Sequence, residues 1–109
     1  MEFDSYQKES KKTAQYQAGI PPLAYVALGL AGETGEVVEK IKKVLRNDGG
    51  TISFEKRTDL SNELGDVLWY LAQIATEIDV SLEDIAQQNL DKLLSRLDRG
   101  VIRSEGDTR

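Results

Sequence analysis

Apolar residues recur every third or fourth position along most of this chain, and the recurrence marks out four helices. A short one spans 3–16, carrying Phe3, Tyr6 and Tyr16 among polar neighbours. Gly19-Ile20-Pro21-Pro22 ends it and opens the next, because proline suits the first helical turn and disfavours helix just before itself. The second spans 22–46, with Leu23, Val26, Leu30, Val37, Ile41 and Val44 at helical spacing. Asn47-Asp48-Gly49-Gly50 is a stop and turn, and 51–54 a short connector. The third spans about 56–78, with Leu60, Leu64, Val67, Leu68, Leu71, Ile74 and Ile78. Ser81 reads as an N-cap, and Glu83 and Asp84 suit the positive end of a fourth helix that runs to about Leu97 through Ile85, Leu90, Leu93 and Leu94. Residues 99–109 are polar and glycine-containing and read as a flexible tail. Few segments favour strand. The expected fold is all-α, a four-helix-bundle-like single domain over 1–109.

Two interruptions of the apolar stripes carry the chemistry. Glu33-Thr-Gly-Glu36 and Glu63-Leu-Gly-Asp66 each place two acids one helical turn apart. At about 100° per residue, Val26 and Val44 fall roughly 20° from Glu33, Val37 roughly 40° and Leu30 roughly 60°. Relative to Glu63, Ile74 falls at roughly 20°, Val67 at roughly 40° and Leu60 at roughly 60°. Glu33 and Glu63 therefore project along the core side, with Glu36 and Asp66 about 60° round at its edge. Acid pairs on helices are usually solvated, but these two break apolar stripes at matching places. Buried carboxylates need a counter-charge: a lysine or arginine network, or a hard divalent cation. Gly32, Gly35 and Gly65 each cost about 1 kcal/mol in a helix, and point to close helix approach or room beside a ligand.

Composition narrows the chemistry. The 109 residues suffice for one domain, and one this small gains from a partner subunit. The chain has no histidine or cysteine, which excludes thiol nucleophiles, serine–histidine triads and most transition-metal sites. Oxygen-only ligands suit Mg²⁺, with Mn²⁺ as a substitute. The net charge of −5 argues against nucleic-acid polymers as partners. No apolar run approaches the ~20 residues of a membrane span, and the N-terminus is no signal peptide, so a cytoplasmic protein is expected. Attack of activated water on a phosphate substrate is the chemistry implied.

Gly29-Leu-Ala-Gly-Glu33-Thr-Gly-Glu36-Val37, followed by Glu63-Leu-Gly-Asp66-Val-Leu-Trp69-Tyr70, resembles the MazG-like nucleoside triphosphate pyrophosphohydrolases. The likeness extends to Tyr6-Gln7, the run from Lys42 to Arg46, Asn89, Lys92 and the tail of small phage-type members. It implies a helical homodimer or homotetramer with Mg²⁺ held by Glu33, Glu36, Glu63 and Asp66. It implies cleavage of a (deoxy)nucleoside triphosphate between the α- and β-phosphates, with a purine deoxynucleotide such as dGTP favoured. A dCTP or dUTP pyrophosphatase, a phosphoribosyl-ATP pyrophosphohydrolase and an enzyme acting on signalling nucleotides share the motif. The substrate contacts it suggests are Lys42, Lys43, Lys92, Tyr70 and Asn89, with Trp69 against a base and Arg99, Arg103 and Arg109 closing over a triphosphate. Arg103 and Glu105 depart from the glycines and serine usual there. The reading from a different class is a non-catalytic helical interaction module, its acids held in ion pairs.

Overall fold

The structure is a computed structural model describing residues 1–109. It is all-helical: α1 (Phe3–Lys11), α2 (Pro22–Asn47), α3 (Phe54–Glu77) and α4 (Leu82–Asp98). Each boundary has a local cause. Pro22 opens α2, and its missing N–H is one of those no helix start can use. Gly49 and Gly50 adopt positive φ at its end, and the Gly50 N–H donates back to the Val44 carbonyl. Ser53 Oγ accepts from the Lys56 N–H to cap α3, and Ser81 Oγ accepts from the Asp84 N–H to cap α4, each at 3.2 Å.

α1 is shorter than its hydrophobic pattern suggests. Thr13 Oγ1 donates to the Ser10 carbonyl at 2.7 Å, and the Lys12 and Thr13 amides bond three residues back, which tightens and ends the helix at Lys11. Side-chain amides then dock it. Gln7 donates to Thr76 Oγ1 and the Val80 carbonyl and accepts from the Leu82 N–H at 2.7 Å. Gln73, fully buried, donates to Ser10 Oγ at 2.9 Å. One long polar side chain thereby ties α1 to the turn between α3 and α4.

α2 and α3 form a long antiparallel hairpin, while α4 packs on α1 and α3 and does not touch α2. A closed four-helix bundle within one chain is therefore not what forms. Only Val26, Val44, Ala72, Ala75 and Leu82 are buried apolar residues, against nineteen large apolar side chains that stay exposed. The α4 stripe expected to be core lies open: Leu94 is 53% and Leu97 63% exposed. Leu28, Val38 and Leu45 on α2 are exposed as well. The radius of gyration is 16.9 Å, where a compact domain of this length has about 13 Å. The stripes were read as facing an internal core, but one chain lacks a fourth helix beside α2 to cover them.

The tail folds back on the end of α4. Arg109 donates to the carbonyls of Val101, Gly106 and Ile102, and Arg99 donates to the Arg109 carbonyl at 2.8 Å. Arg96, 4% exposed, donates to the Asp107 carbonyl.

Candidate metal and nucleotide site

The hairpin brings the two acidic motifs together. Oxygens of Glu33, Glu63 and Asp66 lie within 4.8 Å of one another. Glu33 and Glu63 are half-buried and Asp66 is exposed, matching their angles relative to the apolar stripes. Glu36 is exposed and stands outside this trio. It still contributes a repelling charge at Glu33. The Glu33 carboxyl is held above the ordinary range, first by desolvation, then by a hydrogen bond with Glu63 and the charges of Asp66, Glu63 and Glu36. Three carboxylate groups gathered within one small volume are a set a hard divalent cation fits, because a cation offsets the charge that disfavours Glu33 as an anion.

Aromatic residues build the neighbouring wall. Thr13, Glu33, Asp66, Trp69 and Tyr70 line an open cavity of about 320 Å³. The Trp69 indole donates to Thr13 Oγ1 at 2.8 Å, so the end of α1 fixes its ring. Trp69 and Tyr70 meet edge to face, with ring centroids 5.0 Å apart. Burial, Tyr25, Glu33 and Asp66 raise the Tyr70 phenol above its usual value, which keeps it a hydrogen-bond donor. Its ring lies where a side chain at Gly29 would stand: a Cβ there would be 2.0 Å from Tyr70 Cε1. That glycine makes the close approach of Tyr70 to α2 possible. A Cβ at Gly32, Gly35 or Gly65 meets nothing within 4 Å, so these three leave open shoulders beside the acids and serve no helix contact within the chain.

The remaining expected contacts lie elsewhere. Lys42 and Lys43 pair with Glu39, at 2.9 and 3.9 Å. Asn89 and Lys92 line a shallow depression on α4 with Ile85 and Gln88, away from the carboxylates. Arg99 and Arg109 serve carbonyls of the tail. Lys40 was not singled out by sequence reasoning, yet its Nζ lies 3.7 Å from Glu63 Oε1. The signal was present, because Lys40 stands seven residues after Glu33 and so on nearly the same line of α2. Thr13 and Tyr25 carry no such signal, since only folding brings them to the site.

Residues 23–101 match the model of the MazG nucleotide pyrophosphohydrolase domain. The chain belongs to this family. A relative from Mycobacterium phage L5, named Gene 37 protein, is 49% identical over all of both chains. No solved structure matches. Membership of the MazG family brings nucleotide pyrophosphohydrolase activity in general and use of a divalent metal, and the trio supplies an acidic cluster suited to one. No helix is long and apolar enough to cross a membrane.

Proposed function

We propose that this MazG-family chain hydrolyses a deoxynucleoside triphosphate to the monophosphate and pyrophosphate, with Mg²⁺ at Glu33, Glu63 and Asp66, in control of the cytoplasmic nucleotide pool. The observation that carries this reading is the convergence of the three carboxylates on two antiparallel helices, beside a cavity with an aromatic wall. When bound, a divalent cation neutralises phosphate charge and activates water. The chain's residues do the rest. Glu33, Glu63 and Asp66 hold the cation, and Glu36, one turn from Glu33, completes the set when the side chain rotates inward. The bond formed joins the water oxygen to the α-phosphorus, and the bond broken is from that phosphorus to its bridging oxygen. The electron pair leaves with pyrophosphate, and the water proton passes to a carboxylate of the trio. Tyr70 donates a hydrogen bond toward the phosphate, and Trp69 offers a face to the base.

The motif's resemblance to small phage-type members is the ground for favouring a purine deoxynucleotide such as dGTP, and a phage relative of equal extent fits that type. The open apolar face of α4 and the exposed apolar residues of α2 support a homodimer or homotetramer, because patches of this extent on a small chain are normally covered. A panel of all nucleotides with Mg²⁺, detecting pyrophosphate and monophosphate separately, tests the reading. The expected result is paired products from one or two deoxynucleotides, lost with EDTA. Release of orthophosphate, or no turnover with Mg²⁺ or Mn²⁺, contradicts it.

A further inference from the structure

The seam between α2 and α3 continues past the carboxylates. Glu33, Lys40 and Asn47 follow one another every seven residues, each step drifting by only about 20°. Glu63 and Lys56 stand in the same relation on α3. The seam is thus acidic at one level and basic at the next. At the basic level a cavity of about 210 Å³ opens, its charged lining made of Lys40, Lys43, Lys56 and Asp59, with Asn47 beside them. Three lysines and one aspartate line it, in a chain whose net charge is −5. Lys43 and Lys56 are also paired, with Glu39 and Asp48 on the surface.

Lys40 belongs to both levels. It lines the basic cavity, and its ammonium is the only Lys or Arg group paired with a carboxylate of the trio. Its side chain is 34% exposed. An ammonium and a divalent cation cannot share Glu63 without strong repulsion at a few ångströms. Lysine is a compact charge on a flexible four-carbon stem, so it moves without the backbone.

We infer that Lys40 is a positioning residue with two places: beside Glu63 as the trio's resident counter-charge in metal-free protein, and in the basic cavity, with Lys43 and Lys56, facing the leaving pyrophosphate when metal and nucleotide are bound. Only the second place rests on the proposed hydrolysis. It gives the substrate a direction. The nucleoside lies toward Trp69 and Thr13, the α-phosphate at the carboxylates, and the β- and γ-phosphates along the seam toward Asn47. When the bond from the α-phosphorus to the bridging oxygen breaks, the electron pair goes to pyrophosphate, whose new charge faces three ammonium groups.

Two binding measurements on the full chain test this. Titration of metal-free, nucleotide-free protein with Mn²⁺ alone, read by electron paramagnetic resonance, is expected to show Lys40→Met binding about three- to tenfold tighter than wild type. Lys40→Arg, which keeps the charge, is expected to match wild type. Calorimetry of Mg²⁺-saturated protein is expected to show pyrophosphate bound about tenfold more weakly by Lys40→Met and Lys56→Met, with nucleoside monophosphate unchanged. Circular dichroism confirms that each variant is folded. Mn²⁺ binding no tighter in Lys40→Met overturns the first place. Pyrophosphate and monophosphate weakening together, or neither weakening, overturns the second. Failure of the wild type to release pyrophosphate from any nucleotide is a separate result that refutes the functional reading, and the Mn²⁺ titration still decides the first place.

Discussion

The α2–α3 seam and the α4 face use the same helix-forming residues to opposite ends. Along the seam, two helices of one chain bring three acids, two aromatic rings and a lysine within reach of one another. On α4, leucines at helical spacing stay largely exposed. The seam has its acids and, in Lys40, a lysine beside Glu63. The α4 face has its pattern and lacks its cover. Charge clusters thus come together inside the chain, whereas the apolar face of α4 stays largely uncovered within it.

The largest expected effect breaks the seam. Glu63→Gln removes one carboxylate charge from the trio and is expected to lower turnover on the order of a thousandfold. Its helical content is expected to persist, because no buried apolar contact is lost. Full turnover in that variant rules out Glu63 as a metal ligand. Leu94→Glu breaks the other side. A charge on a face that a second copy covers costs about 2–4 kcal/mol per site, which raises the dissociation constant of the assembly at least tenfold. Sedimentation velocity reads this as a shift to lighter species, and an unchanged mass excludes this face from the interface.

Glycines sharpen the contrast at smaller scale. Gly29→Ala puts a methyl group against the Tyr70 ring and is expected to destabilise the fold by about 1–2 kcal/mol while displacing Tyr70 from the carboxylates. Gly35→Ala meets only open space and is expected to stabilise the helix by up to about 1 kcal/mol. Thermal melts compare the two, and destabilisation by Gly35→Ala places a ligand or another copy at that shoulder.

The smallest effect is a pH dependence. A carboxyl raised above its unfolded value binds its proton more tightly in the fold, so its contribution to stability is present below the ordinary glutamate range and is lost as pH rises through the raised value. Glu33→Gln is therefore expected to melt higher than metal-free wild type at neutral pH, with the gap closing as the pH falls into the acid range. Saturating Mg²⁺ is expected to reverse the order. A gap that does not change with pH argues against a raised Glu33.

Three of the four helices are plain in the sequence, because α2, α3 and α4 each have a capping serine, a proline or a glycine pair at a boundary. The hydrophobic pattern overextended α1, where Thr13 turns its hydroxyl back to the helix end and accepts the Trp69 indole, a partner 56 positions away. The angular positions of Glu33, Glu63 and Asp66 were readable from helix periodicity alone, which is why these three converge as expected. Glu36 lies at the edge of the same stripe and stands exposed, outside the trio. Lys40 was overlooked although its register matched. For the α4 leucines, periodicity reveals an apolar face but not what covers it.

The most direct test of the central claim is turnover of the preferred nucleotide with Mg²⁺ in heavy-oxygen water, followed by mass spectrometry of both products. The account predicts the label in the nucleoside monophosphate, since water attacks the α-phosphorus beside Glu33, Glu63 and Asp66. Label in the pyrophosphate, or in released orthophosphate, would contradict it.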